Sequence, residues 1–198
     1  MAKLFFRYGA MNSGKSTALL QVAHNYEERG MHVLLVKPGI DSKGNDKIIS
    51  RLGIERRVDI QAAENINVYD TIKQWHKDVE KIACVLVDEA QFLTEKQIDQ
   101  LFNLTVYENI PVICYGIRTD FQTRLFPGSK RLFALAHSLE ELKTICRCGK
   151  KAMLNGRKAG GKYIFEGSQV AIDGAMDITY ESLCGDCYFE ELEKAHGN

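Results

Sequence analysis

The sequence has no excess of charge of either sign, because its 26 basic and 26 acidic residues cancel. A protein whose main role is to hold a nucleic-acid backbone is usually clearly basic, so this balance argues against that role. No apolar stretch is long enough to span a membrane, and the apolar run at the start is too short for a signal peptide. We therefore expect a cytosolic protein with no nucleic-acid or membrane partner.

The sequence also lacks internal repeats and low-complexity tracts. Its hydrophobic content of 45% and charged content of 26% are ordinary for a globular protein. A chain of 198 residues suffices for one good core and a small appendage. The composition changes after about residue 140, where the chain contains four of its six cysteines, many glycines and short apolar–polar alternations. We expect two domains, residues 1–140 and 141–198, the second of them small and mainly β.

Strands and helices alternate in the first of these domains. Residues 4–9 have the apolar character of a buried strand, apolar positions then recur at helical spacing up to Gly30, and residues 32–38 read as a second strand. Strand, loop, helix and strand in this order form the repeating unit of a parallel sheet. The sequence therefore predicts an α/β fold.

The same alternation continues towards residue 117. We predict a helix at 70–82, a strand at 83–93, a helix at 94–109 and a strand at 111–117. Thr94 is the expected N-cap of its helix, with Gln97 at the capping-box position. The polar segment 39–65 is expected to be a long surface loop with weak local structure, and residues 118–142 a mixed loop and helix region.

The stretch from residue 9 to residue 16 has the Walker A spacing. Glycines let backbone N–H groups curl towards phosphate oxygens, and the following helix adds its positive N-terminal end. Lys15 should reach the β and γ phosphates, and the Ser16 hydroxyl should bind Mg²⁺. The alternative is a chance glycine-rich turn, which the position between a predicted strand and helix disfavours. The predicted phosphate-binding residues are Gly9, Ala10, Met11, Asn12, Ser13, Gly14, Lys15 and Ser16.

A second nucleotide signature is the apolar strand that ends in Asp88 and Glu89. An aspartate in this place holds Mg²⁺ directly or through water, and Glu89 is a candidate general base near the γ-phosphate. The alternative for Glu89 is a solvated acid at a strand end. Both motifs together predict a magnesium–nucleotide site, which ATPases, GTPases and kinases share.

Two cysteine pairs predict a metal site. Cys146 and Cys148 form a C-x-C pair, and Cys184 and Cys187 form a C-x-x-C pair. Four thiolates suit a structural Zn²⁺ ion, which has no open position for chemistry. Four buried free thiols or a redox pair are the alternatives. The other two cysteines lie inside predicted strands and are interpreted as small buried apolar residues.

The motifs GAMNSGKST (9–17), VDEAQFL (87–93) and YGIRTDF (115–121), followed by a four-cysteine module, resemble the thymidine kinase family of the cytosolic, zinc-containing type. The similarity extends from residue 3 to about 190 and is closest to bacterial members. It implies a RecA-like P-loop parallel sheet domain with a small C-terminal zinc-binding lasso domain. It also implies a homotetramer that transfers the γ-phosphate of ATP to the 5′-hydroxyl of thymidine.

The resemblance further implies a role for individual residues. Glu89 becomes the catalytic base that accepts the 5′-hydroxyl proton, Asp88 the magnesium-site acid, and Gln91 a residue of the ATP site. The four paired cysteines become the zinc ligands. Residues 170–180 become a lasso segment that binds the base largely through main-chain groups. The residues implied to surround thymidine are Met11, Phe92, Ile117, Phe121, Val170, Ala171, Ile172, Asp173, Gly174 and Tyr180.

Two departures from the family pattern affect the loops. Many relatives carry an arginine at or near the position of Lys43. Lysine keeps the positive charge, but it cannot bind phosphate through two parallel hydrogen bonds as arginine does. Arg51 could share this task, or could simply keep its loop soluble. Ala175 stands where consecutive glycines are expected.

A RecA-like zinc-module ATPase acting on nucleic acid is the alternative function, which the balanced charge disfavours.

Overall fold

The computed structural model describes residues 1–39, 46–78, 81–169 and 177–197, and its larger, N-terminal part contains eight strands. In chain order they are β1 (Leu4–Tyr8), β2 (His32–Pro38), β3 (Lys47–Ile49), β4 (Glu55–Arg57), β5 (Ile60–Ala62), β6 (Ile82–Val87), β7 (Val112–Gly116) and β8 (Ser138–Glu141). Six of them form one sheet in the spatial order β5-β2-β6-β7-β1-β8, with every neighbouring pair parallel. The other two, β3 and β4, pair as an antiparallel hairpin.

Helices cover both faces of this sheet. They are α1 (Lys15–Glu27), α2 (Val68–Asp78), α3 (Glu95–Tyr107) and α4 (Pro127–Leu135). On β2, Leu34 and Val36 join the apolar cluster that includes residues of α2, α3 and α4, whereas Val33 and Leu35 pack with α1. Alternate strand residues point to opposite faces, so a strand covered on both sides is apolar along its length. The carboxyl ends of β1, β2, β6 and β7 therefore meet at one edge.

A smaller C-terminal module, residues 144–197, follows the sheet. Its elements are β9 (Thr144–Ile145), β10 (Lys151–Ala152), β11 (Leu154–Ala159), β12 (Lys162–Ile164), β13 (Ile178–Leu183) and α5 (Gly185–His196). β9 and β10 form a hairpin, and the other three strands form an antiparallel sheet in the order β12-β11-β13. The module has its own apolar cluster, which includes three of the paired cysteines with Leu183 and Tyr188.

The predicted α/β class with a parallel sheet is confirmed. So is the capping box, because the Thr94 hydroxyl accepts a hydrogen bond from the Gln97 backbone and the Gln97 side chain accepts one from the Thr94 backbone, both at 3.1 Å. The division at residue 140 stays a prediction. The described residues contain no helix long and apolar enough to cross a membrane.

Three predictions of local structure were wrong. Segment 39–65 contains β3, β4 and β5 rather than a loop alone, and β5 extends the central sheet beside β2. The strand predicted at 83–93 ends at Val87, because Glu89 takes a left-handed conformation (φ 48°) and a 3₁₀ turn follows at Ala90–Phe92. The second domain is not mainly β to its end, because α5 contributes twelve residues.

Candidate active site

The predicted phosphate loop lies between the end of β1 and the start of α1. Its shape requires glycine at two positions. A Cβ atom on Gly9 would lie 2.4 Å from both the Leu142 carbonyl oxygen and the Ser13 hydroxyl oxygen. Gly14 has φ 77°, a left-handed conformation that places it as the N-cap of α1. The two glycines therefore let the chain turn tightly around the space in front of the helix N-terminus.

Lys15 begins the helix and folds back over the loop. Its ammonium group donates to the Ala10 carbonyl at 2.8 Å and lies 3.3 Å from the Gly9 carbonyl. Burial lowers the pKa of Lys15 to about 8, although the negative charges of Asp88 and Glu89 act in the opposite direction. A partly buried ammonium under the influence of two carboxylates suits the binding of a phosphate anion.

Asp88 directly follows the end of β6, and its side chain contacts Ser16 at the end of the phosphate loop. Its carboxylate accepts a hydrogen bond from the Ser16 hydroxyl at 3.3 Å, and its side chain is buried. Burial raises the pKa of Asp88, while the Glu89 backbone N–H, the Lys37 charge and the Ser16 hydroxyl act to lower it. A hydroxyl and a carboxylate at this distance are oxygen donors of the kind that Mg²⁺ prefers.

Glu89 projects from the left-handed turn just beyond Asp88. Its side chain is accessible to solvent, but the surrounding protein still removes part of its hydration. This desolvation, together with the Asp88 charge, raises the pKa of Glu89, and Lys37 and Lys15 oppose the shift. Sequence reasoning missed Lys37, whose position at the end of β2 could have suggested a charge near this edge.

The hairpin of β3 and β4 brings a further cation to the site. Arg51 lies in its turn, and its positive charge contributes to the lowered pKa of Lys15. The Arg51 charge is therefore near enough to Lys15 to act on it. Lys43, the other loop residue considered for phosphate binding, lies outside the described residues.

Gln91 and Phe92 lie in the 3₁₀ turn after Glu89. The Gln91 side-chain oxygen accepts the backbone N–H of Ile117 at 3.2 Å, so this residue ties the acidic turn to the end of β7. A Cβ on Gly116 would lie 2.7 Å from the same oxygen, which explains the glycine there. The Phe92 ring packs edge-on against Phe126, with centroids 5.3 Å apart.

Phe121 and Tyr180, two of the residues expected around thymidine, converge on Arg157. The Arg157 guanidinium carbon lies 3.7 Å from the centroid of the buried Phe121 ring, and its Nε donates to the Tyr180 hydroxyl at 3.0 Å. Its two terminal nitrogens donate to the carbonyls of Ser168 and Gln169, at 2.8 and 2.9 Å. Arg157 is 3% exposed, so one buried cation fixes both aromatic rings and the chain entering the lasso segment.

The predicted lasso segment, residues 170–180, is described only from residue 177 onward. Val170, Ala171, Ile172, Asp173 and Gly174 lie outside the described residues, as does Ala175. The described chain therefore stops just before this segment at Gln169 and resumes within it at residue 177.

Arg157 and Asp120 are the two residues near this position that sequence reasoning missed. Asp120 accepts hydrogen bonds from the backbones of Gln122 and Arg124 and from the Gln169 side chain. It thus orders the loop that carries Phe121. Asp120 lies in the YGIRTDF motif, which was a usable signal, although no role was assigned to it there. Arg157 belongs to no motif, and its burial, which marks it as a charge with a specific partner, is visible only in the structure.

The four paired cysteines meet in the C-terminal module, as predicted. Their sulfur atoms all lie within 4.8 Å of one another. A tetrahedral zinc site with Zn–S bonds of about 2.3 Å separates its sulfurs by about 3.8 Å, so the cluster has the size for one ion. Cys146 and Cys148 flank a turn completed by Gly149 (φ 84°), and Cys184 and Cys187 lie at the start of α5. These residues fit a structural metal site.

Comparisons with known proteins agree with this geometry. A family model described as "Thymidine kinase" matches residues 2–188. The thymidine kinase of Chromobacterium violaceum is 49% identical over 193 residues, covering 96% of this chain and all of the relative. The thymidine kinase of Shewanella oneidensis is 48% identical, covering 93% of this chain and 95% of the relative. The thymidine kinase of phage T4 is 45% identical, and the match covers both chains completely.

Proposed function

The chain belongs to the thymidine kinase family, and from this premise we propose that it transfers the γ-phosphate of ATP to the 5′-hydroxyl of thymidine. The observation that carries the proposal is the meeting of the two nucleotide motifs, in which the Ser16 hydroxyl bonds to Asp88 and Lys15 interacts with Asp88 and Glu89. The alternative of an ATPase acting on nucleic acid is not favoured by the family match.

The phosphate side of the reaction depends on charge neutralisation. Lys15, the loop amides and the start of α1 would hold the β and γ phosphates, with Arg51 approaching from the hairpin. Ser16 and Asp88 would hold Mg²⁺, which when bound supplies positive charge at the phosphate oxygens. Gln91 supports this side indirectly, because its side chain fixes the acidic turn against β7.

Glu89 is the proposed general base. Its ionised carboxylate accepts the proton of the 5′-hydroxyl while that oxygen forms a bond to the γ-phosphorus. The bond from the γ-phosphorus to the oxygen it shares with the β-phosphate breaks, and ADP leaves with the electron pair. A raised pKa makes Glu89 a better proton acceptor near neutral pH than an ordinary carboxylate.

The nucleoside side is proposed to lie against the loop after β7 and the lasso segment. Phe121 and Tyr180, which Arg157 holds together, would face thymine with Met11, Phe92 and Ile117. Residues 170–174 would bind the base through main-chain groups. Because an imperfect base would leave such buried groups unpaired, this arrangement suits selection among nucleosides.

The remaining parts of the proposal concern structure and assembly. Zn²⁺ on the four cysteines would stabilise the C-terminal module without taking part in phosphoryl transfer. The division into a kinase domain, 1–140, and a zinc and lasso domain, 141–198, belongs to this proposal. A cytoplasmic homotetramer is also proposed, from the family resemblance, and light scattering on the purified protein tests the number of subunits.

A nucleoside panel tests the proposed activity. With ATP and Mg²⁺, the protein should phosphorylate thymidine far faster than deoxycytidine or the purine deoxynucleosides. The control is the Lys15→Ala variant, which should lose most activity with every acceptor if the phosphate loop is used. Equal rates across the panel would contradict the assignment to thymidine.

A further inference from the structure

Met11, in the phosphate loop, has both of its backbone polar groups bound by the C-terminal module. The Asn155 side-chain oxygen accepts its N–H at 2.8 Å, and the Ser182 hydroxyl donates to its carbonyl oxygen. Neither partner belongs to the Walker A motif or to the sheet that carries it. The local shape of the loop at Met11 is therefore set by a different part of the chain.

Asn155 and Ser182 form a cross-strand pair. They are register partners on β11 and β13, and the next pair on the same face is Arg157 with Tyr180. Both hydrogen-bonding partners of Met11 are almost fully buried, at 2% exposure for Asn155 and 5% for Ser182. Because buried hydrogen bonds are costly to leave unmade, this contact fixes the Met11 peptide more firmly than a surface contact would.

The pair Asn155 and Ser182 also connects the phosphate loop with two other parts of the molecule, the loop that carries Phe121 and the cysteine cluster. Side chains two residues apart share a face of a strand, so Tyr180 and Ser182 point the same way, and the proposed metal ligand Cys184 follows two residues later. The Asn155 amide also donates to the Thr119 carbonyl at 3.1 Å, in the loop that carries Phe121. One short ladder thus contacts the phosphate loop and the nucleoside loop, and leads directly into the cysteine cluster.

We propose that Asn155, together with Ser182, is a positioning residue for the phosphate-donor site and acts through the Met11 peptide. The C-terminal module then sets the affinity for ATP as well as that for the nucleoside. This inference rests on the proposed function, because it takes residues 9–16 to be the ATP-binding loop. Asn155 acts on the shape of the loop, so its loss should weaken the donor even when no nucleoside is present.

The test measures Mg–ATP affinity by calorimetry in the absence of nucleoside, for the wild type, Asn155→Ala and Ser182→Ala. We expect each substitution to weaken ATP binding about 10-fold, which corresponds to about 1.4 kcal/mol. The double variant should lose less than the product of the two single losses, because both side chains hold one peptide.

Tyr188→Phe is the matched control. The Tyr188 hydroxyl donates to the Phe121 carbonyl at 2.6 Å, so this substitution also removes a buried hydrogen bond between the module and the rest of the chain. It leaves Met11 untouched. Its ATP affinity should stay within about 2-fold of the wild type, while its melting temperature falls by as much as that of Ser182→Ala.

The possible outcomes separate this inference from the proposed function. If the wild type binds no Mg–ATP, the proposed function is wrong. If the wild type binds Mg–ATP, and Asn155→Ala and Ser182→Ala bind it as tightly as the wild type does, the positioning role is wrong. Equal weakening in Tyr188→Phe would also overturn the inference, since general loosening of the module would then explain all three. Should Asn155→Ala fail to fold, Ser182→Ala gives the same readout from a smaller change.

Discussion

The protonation state of Lys15 sets a limit on ATP use at alkaline pH. Burial lowers the pKa of this ammonium to about 8, Asp88 and Glu89 counteract the shift, and the charge of Arg51 adds to it. A lysine with a lowered pKa loses its charge as the pH rises through that value. At pH 9 only about a tenth of the free protein would carry the charged form that grips phosphate.

The expected result is an alkaline decline in kcat/KM for ATP, measured with thymidine held at saturation. Because kcat/KM for ATP reports the enzyme form whose ATP site is empty, here the thymidine complex, the decline should begin near pH 8 and approach 10-fold per pH unit. At saturating ATP the phosphate charges should hold the proton on Lys15, since an opposite charge raises the pKa of an ammonium. The decline in kcat should therefore begin at a higher pH than the decline in kcat/KM.

Lys15→Arg is the matched control, because a guanidinium stays protonated throughout this range. The variant should be less active, since its geometry differs, but its kcat/KM for ATP should show no decline near pH 8. A wild-type profile that is flat to about pH 9.5, or the same decline in Lys15→Arg, would refute the assignment of this titration to Lys15.

Three further predictions test other parts of the site. Glu89→Gln should lower turnover by about 10²-fold or more, the scale of a lost general base, while calorimetry shows ATP affinity unchanged; near-normal turnover would make Glu89 a solvated acid. Arg157→Met removes hydrogen bonds to Tyr180, Ser168 and Gln169, so thymidine affinity should fall at least about 10-fold with ATP affinity within about 2-fold; unchanged thymidine affinity would contradict its role. Cys187→Ala should reduce the zinc content found by elemental analysis and lower the melting temperature; a wild-type protein without zinc would refute the metal assignment.

The parts of the fold that the sequence predicted are those with strong local signals. β2 is a seven-residue apolar strand covered on both faces, and α3 begins with a capping box, so both are recognisable from neighbouring residues alone. β5 and β8 are strands of three and four residues at the two edges of the sheet. Three or four residues are too few to show a periodicity, and three of the four residues of β8 are polar. Their pairing partners are also distant in sequence, so the neighbouring residues do not indicate them.

The residues of the candidate site also fall into two groups, those that a local motif predicts and those that only the structure reveals. Lys15, Asp88 and the cysteines belong to motifs whose spacing reflects one local geometry, and the structure brings them together as clusters. Asn155 and Arg157 belong to no such motif. Their importance comes from burial and from partners in other segments, which depend on how the C-terminal module packs and could not be read from the residues around them.

The fate of the γ-phosphate tests the central claim most directly. ATP labelled at the γ position is incubated with the protein, Mg²⁺ and thymidine, and the products are separated into nucleoside monophosphate and inorganic phosphate. We predict that the label appears in thymidine 5′-monophosphate in step with ADP formation, and that single-stranded DNA does not change the rate. Label that accumulates only as inorganic phosphate, faster when DNA is added, would contradict the account.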